Sequence, residues 1–500
     1  MQRLEYNVNV SSALFYLSSV VLVLFTINYC WKRRRLYYYS SKLKGPLALP
    51  FLGSIHEFAG GIDSAYPKSM EIARKYGPIG KLWLGSHLFI VVTEPEDVEY
   101  VMKQCLSKGY IYEFLKPPFG HGILTAPLSR WKTHRKTINQ TFNQSILNSY
   151  FDIFVKRSNE LMAELKKHYV KCETNIFQRF SESTFRMICD TCMGVDSADL
   201  NVQNEYMLRV AEGAIYIGSR FFNPLYHFEF LWNIFGYKKQ LNDVVTYGFG
   251  HIRKILEKKK QLIKEQKADS SNNKNFLSYL LKVTEEEGIW TDKEMMEETQ
   301  TMVCAGSDTT ALTMSFATIM LALHQDIQQK LYKEVYDIFG DSDRDATLDD
   351  LTRMEYTERV IRETMRLFPV GPCQFREVLE DIKIRDVVIP EGSQLLIPVH
   401  FIHRNPKYWP DPLKFNPDRF LPEEVEKRPR YSYMPFSIPP RNCIGKTFAM
   451  MSMKVSLTNM MRNFRIVSTQ HKSIETMKLH INVLISSANG YGVTLESRKK

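Results

Sequence analysis

Towards the carboxyl end the chain reads Pro435, Phe436, Ser437, Ile438, Pro439, Pro440, Arg441, Asn442, Cys443, Ile444, Gly445. This apolar run closes on one cysteine, with a cation two residues before it and a glycine two after. A thiolate that binds haem iron needs that company: a tight loop, backbone N–H groups aimed at the sulfur, and a guanidinium to neutralise a haem propionate. Taken alone, Cys443 reads more simply as a small buried hydrophobe. A second segment, Ala305, Gly306, Ser307, Asp308, Thr309, Thr310, is an odd choice for the middle of a buried helix. Glycine costs about 1 kcal/mol relative to alanine there, and hydroxyls compete for backbone acceptors. Small Ala305 and Gly306 would let dioxygen and a porphyrin approach the backbone, while Asp308 and Thr309 would relay protons so that an O–O bond breaks heterolytically. Alone, this segment too has a plainer reading, a bent helix whose threonines bond back to their own carbonyls.

Together the two segments resemble the cytochrome P-450 superfamily of haem-thiolate monooxygenases. Phe436, Arg441, Cys443 and Gly445 match four positions of the haem-binding signature F-x-x-G-x-R-x-C-x-G, and residues 305–310 match the oxygen-activation motif A/G-G-x-D/E-T-T/S throughout. One position departs. Pro439 replaces the first glycine of the signature and Pro440 follows it, which fixes two φ angles and removes two backbone donors. If that glycine supplies a φ forbidden to proline, the loop must bend differently here.

The resemblance carries further residues. Glu363 and Arg366 would be the family's E-x-x-R, with Arg419 as third member of a buried charge network that holds the segment bearing Cys443. Trp131 and Arg135, four apart and so on one helical face, would point to a propionate, with Arg376 and Arg441 as further guanidinium partners. Haem b would be the cofactor, held only by its bond to Cys443, because Ala305 stands where related animal enzymes carry a glutamate that can esterify the haem. The helical region after Trp131 and the tail look most like the animal clan that includes fatty-acid omega-hydroxylases and many insect enzymes. Electrons would come from NADPH through a diflavin reductase, with cytochrome b5 as a second donor. The reductase would dock on Lys132, Lys136, Arg428, Arg430 and Lys446.

The elements that must position these groups are partly legible. From Ala13 to Trp31 runs a nearly uncharged stretch long enough to span a bilayer, with Lys32, Arg33, Arg34 and Arg35 directly behind it. A cleaved signal peptide has its positive charge in front; here it lies behind. The positive-inside rule makes residues 1–12 luminal, 13–31 a transmembrane signal anchor and the remainder cytosolic, in the endoplasmic reticulum membrane. Residues 32–53 read as a basic, proline-containing linker ending in a stiff hinge, and 54–500 as a single haem-binding domain. The expected fold is mainly α with a small β region: a large helical bundle around haem with minor antiparallel sheets. Two strands surround the turn at Gly85, further strands lie near Val387 to Ile389 and Gln394 to Val399, and a last hairpin turns at Asn489 and Gly490. Thr291 and Glu294 offer a capping box for a helix running to about Leu323.

Composition narrows the rest. Eight scattered cysteines without metal-site spacing suggest a reduced compartment. The formal charge of +11 belongs partly to the membrane-adjacent cluster, and no nucleic-acid module accompanies it. The segments expected to touch substrate are 110–127, 302–305, 370–375 and 488–491. Most are apolar, which favours a lipophile delivered through the membrane. Two rivals stay open: a reductase-independent isomerase or dehydratase of the same fold, and a non-catalytic haem or lipid binder if Pro439 disrupts the loop.

Overall fold

The computed structural model describes residues 2–58, 61–197, 203–265 and 275–498. The first helix, α1 (Gln2–Lys32), contains one segment long and apolar enough to cross a membrane, Ser12–Lys32, and none of it is buried against the rest of the chain. The basic stretch behind it is not a free linker. Helix α2 (Arg34–Ser41) packs Tyr37 on Trp83 with ring centroids 5.0 Å apart, and Arg35 pairs with Asp381 at 2.5 Å. The Lys81 N–H then donates to the Lys44 carbonyl at 2.9 Å. Gly45 makes this approach possible, since a Cβ there would lie 2.2 Å from the Lys81 carbonyl oxygen. The expected hinge is therefore fastened to the first sheet.

That sheet has strand order β1-β2-β7-β4: β1 (Ile79–Leu84), β2 (His87–Val92), β7 (Gln394–Ile397) and β4 (Gln374–Glu377), with only β2 and β7 parallel. A second joins β3 (Glu173–Asn175), β11 (Gly492–Ser497) and β8 (Phe464–Thr469). Two ribbons complete the β structure of the described residues, β5 (Ile382–Ile384) with β6 (Val387–Ile389), and β9 (Leu479–Ile481) with β10 (Ile485–Ser487). The hairpin expected at Asn489 and Gly490 does not exist. β10 and β11 flank that turn but belong to different sheets, and the last tight reversal joins β9 to β10 through residues 482–484.

Helices dominate, and those that shape the site are α3 (Leu128–Asn139), α4 (Ile176–Ile188), α5 (Gln203–Phe222), α6 (Tyr237–Glu265), α7 (Asp292–Leu323), α8 (Glu355–Leu367) and α9 (Lys446–Asn463). Part of the basic run 258–274 continues α6 to Glu265; the rest lies outside the described residues. Helix α7 opens on the Thr291–Glu294 capping box and runs 32 residues, about 48 Å. It is the axis of the core. Its carboxyl half stacks Phe316 on Phe368 with centroids 4.4 Å apart, and its centre lies tight against α4.

Candidate active site

The loop before Cys443 is folded back by two backbone bonds: the Cys443 N–H donates to Phe436 at 2.9 Å and the Ser437 N–H to Met434 at 3.0 Å. Ser437 carries the loop's positive φ, 62°. The left-handed residue thus falls two positions before Pro439, so neither proline is asked for a φ its ring forbids. Gly445 caps α9, and its N–H points at the Cys443 sulfur. The Gly445 N–H, the helix amino terminus, Arg135 and Lys446 all favour a thiolate. Burial outweighs them and pushes the thiol up; a metal cation on the sulfur would reverse this, because a coordinated thiol is deprotonated outright.

Two residues inside the fold are nevertheless open. Cys443 is exposed although it lies deep among surrounding atoms, and Ala305 is exposed in the middle of a helix buried on almost every side. Internal space exposes them. A group of cations borders the same region. Arg376 is 0 % exposed with Nε and Nη2 unpartnered, while Nη1 bonds the Phe375 carbonyl. Arg441 donates to the carbonyls of Leu106 and Ala126 at 2.8 and 2.6 Å, lies over the buried Trp131 ring at 5.1 Å, and leaves Nε unpartnered. Lys108 joins them over the Tyr112 ring at 4.1 Å. Burial and the neighbouring guanidiniums hold Lys108 well below the usual lysine range, and burial followed by Arg376 pushes Arg441 down to about 9.

Among the described residues, no carboxylate is ion-paired with any of these three cations. Buried like charges of this kind need an anion, and the two propionates of a haem would supply it. The residues present therefore fit that cofactor. Lys108 was not identified from sequence, and nothing there marks it, while Tyr112 falls within the segment 110–127 expected to touch substrate; the loop that carries them meets β4 through the isolated Lys108–Arg376 bridge. Arg135 stands differently from expectation. Its guanidinium bonds Asn139, and the Asn442 carbonyl and side chain at 2.7 and 3.1 Å, so it braces the residue beside Cys443.

Below the loop, Glu363 and Arg366 are both fully buried and doubly hydrogen bonded, at 2.7 and 2.8 Å. Arg366 also donates to the carbonyls of His403, Pro412 and Lys414, and Glu363 accepts the Asn416 N–H at 2.9 Å. Arg419 approaches Glu363 at 3.5 Å without hydrogen-bond geometry and spends Nη2 on the carbonyls of Pro410 and Asp411. His403 is buried beside this network, and its Nε2 accepts the Met434 N–H at 2.8 Å. The network thus reaches the Cys443 loop through a buried histidine.

On α7 the two small residues part company. Ala305 is open to the interior, but a Cβ on Gly306 would meet Ile188 Cδ1 of α4 at 2.5 Å. Glycine at 306 serves helix packing. Thr309 donates its hydroxyl proton to the Ala305 carbonyl at 2.8 Å, the back-bonded arrangement, so what it offers the interior is an acceptor oxygen. Asp308 carries the opposite capacity, because burial pushes its carboxyl up to about 7. Both line a cavity of about 270 Å³ with Ala305, Tyr112 and a mostly apolar wall including Ile111, Leu115, Phe375 and Leu484. Segments 110–127, 302–305 and 370–375 contribute as expected. The carboxyl-terminal contribution comes from Val483 and Leu484, whereas Tyr491 is buried against Phe177 and Phe316.

Comparison with known proteins settles the family. The Cytochrome P450 family model matches residues 43–493. The chain belongs to the cytochrome P-450 family. It is 34 % identical over 426 residues to Cytochrome P450 4c21 of Blattella germanica, covering 82 % of this chain and 84 % of that protein. It is 31 % identical to Cytochrome P450 4g1 of Drosophila melanogaster (94 % and 91 %) and 32 % identical to the human Cytochrome P450 4V2 (85 % and 83 %). This P-450 is accordingly a haem-thiolate monooxygenase whose cofactor is haem b ligated by a cysteine thiolate. It resembles the animal relatives that its sequence suggested, and its apolar first helix fits a membrane anchor.

Proposed function

We propose that Cys443 is the thiolate ligand, that Arg376, Arg441 and Lys108 hold the haem propionates with Trp131 beneath Arg441, and that the cavity beside Ala305 receives a lipophilic substrate. Bound haem supplies reductive activation of dioxygen and insertion of one oxygen atom into the substrate. The chain does the rest. Gly445 and Arg135 set the loop, Phe436 closes it, and Glu363, Arg366 and Arg419 hold it from below. Asp308, with a carboxyl pushed up to about 7, can donate and recover a proton near neutral pH, and the Thr309 oxygen can accept a hydrogen bond beside it. Ala305 carries no carboxylate, so the haem stays without an ester link.

The observation that carries this reading is the pair of buried guanidiniums, Arg376 and Arg441, with half-buried Lys108 near them and, among the described residues, no carboxylate paired to any of the three. Electrons would come from NADPH through a diflavin reductase on exposed Lys132, Lys136, Arg430 and Lys446, with cytochrome b5 as a second donor. Arg428, the fifth cation of that expected face, is half-buried, stacks on Trp409 at 4.2 Å and bonds the Arg419 carbonyl. The cations behind α1 would place the catalytic domain on the cytosolic side of the endoplasmic reticulum. The test is a purified full chain reconstituted with reductase. A red-shifted ferrous carbonyl band and NADPH-dependent oxygenation of a lipid are expected; the band with peroxide rearrangement but no NADPH use would favour an isomerase instead.

A further inference from the structure

One wall of the 270 Å³ cavity is unlike the others. Tyr206 of α5 and Gln300 and Cys304 of α7 all line it, immediately before Ala305 and Asp308. Each is at least nine-tenths buried, so the polar atoms are enclosed. They are poorly matched to one another. The Tyr206 hydroxyl lies 3.2 Å from Cys304 Sγ and donates to Gln300 Oε1 at 3.4 Å, and Gln300 Nε2 donates to the same sulfur at 3.4 Å. Two of these three contacts involve sulfur, a weak donor and a weak acceptor, and the third is long. Space beside the amide is kept by Gly248 of α6, where a Cβ would come within 3.3 Å of Gln300 Nε2.

A hydroxyl donor and an amide with both polarities, held in an otherwise apolar chamber, suit a ligand oxygen better than they suit each other. No cation accompanies them in the wall. Among the described lining residues the one arginine, Arg209, is already paired with Glu212 at 3.2 Å, and Asp308 would repel an anion whenever it is ionised. Resting on the monooxygenase reading above, we propose that Tyr206, Gln300 and Cys304 form a hydrogen-bonding subsite that selects lipophiles carrying an uncharged oxygen group, a hydroxyl or a carbonyl, several carbons from the oxidised position. Gln300 lies five residues before Ala305, about 7.5 Å along the helix axis, which sets the spacing between the recognised oxygen and the carbon presented at Ala305.

The test uses the haem-loaded full chain and four ligands of one chain length: the n-alkane, the secondary alcohol, the methyl ketone and the carboxylic acid. Binding is read by spin-state change and equilibrium dialysis, corrected for partition from water. The alcohol and ketone should bind about tenfold tighter than the alkane, the advantage of one or two neutral hydrogen bonds, and tighter than the acid. Tyr206→Phe, which removes one oxygen atom, should erase most of that advantage at unchanged haem content; Gln300→Leu should do the same if it folds. An unchanged ratio in Tyr206→Phe, a preference for the acid, or equal binding of all four would overturn the subsite. A wild-type protein lacking the red-shifted carbonyl band would instead bring down the haem-thiolate reading itself.

Discussion

Glu363→Gln tests what the buried charge pair contributes. In the native chain Oε1 accepts Arg366 Nη2 and the Asn416 N–H, and Oε2 accepts Arg366 Nε, all at 2.7 to 2.9 Å. The substitution turns one acceptor into a donor facing a guanidinium and leaves that cation without its counter-charge in a site 0 % exposed. Removing one partner of such a pair costs about 3 to 5 kcal/mol. For 500 residues the unfolding entropy is about 1 kcal/mol per degree, so the expected fall in Tm is about 3 to 5 °C. Adding Arg366→Met should not restore stability, because the carbonyls of His403, Pro412 and Lys414 would then lose their donor. Thermal unfolding followed by far-UV dichroism of matched haem-loaded samples measures this. A Tm change below about 1 °C, or full rescue by the second substitution, would refute the reasoning.

Three other outcomes follow from the same geometry. Cys443→Ala should lose the red-shifted ferrous carbonyl band, and a normal band in that variant would remove Cys443 as ligand. Asp308→Asn should flatten the pH dependence of turnover near 7. The folded state holds a proton on Asp308 that the unfolded chain releases above about 4, so this group's contribution to stability is present at low pH and lost as pH rises through about 7; the variant should lack that slope in a pH series of unfolding midpoints. Gly306→Ala should destabilise the fold, and Ile188→Val, which removes the Cδ1 atom that the new Cβ would meet at 2.5 Å, should relieve most of the loss; no relief would show that the glycine serves something other than the α7–α4 contact.

How much was legible follows the range of the interactions concerned. The Thr291–Glu294 cap was readable because its bonds close within one turn, and the Cys443 loop because its ligand, cap and flanking cation sit together in sequence. Turn residues at Asn489 and Gly490 announce a reversal but not which sheet receives the next strand, and β11 goes to β8 and β3 instead of β10. Gly306 has a second role that its motif does not show, for a similar reason. A glycine in a motif says that a Cβ is excluded there, and only the neighbouring helix shows that Ile188 excludes it. Lys108, Tyr112, Tyr206 and Gln300 carry no local pattern, since their significance lies in what distant segments bring beside them.

The proline-flanked loop remains the point at which sequence and structure had most to reconcile, and its supports explain how it holds. Arg135 grips Asn442 from α3, Arg441 ties the loop to the carbonyls of Leu106 and Ala126, and His403 receives the Met434 N–H while its own carbonyl accepts from Arg366. Three separate elements therefore fix the backbone on both sides of Pro439, each through a bond to a main-chain atom. A loop held this way does not depend on the conformational freedom of one glycine. Its geometry is set by the buried Arg441 guanidinium and His403 imidazole together with the half-buried Arg135, which is why a signature position can change while the loop keeps its bend.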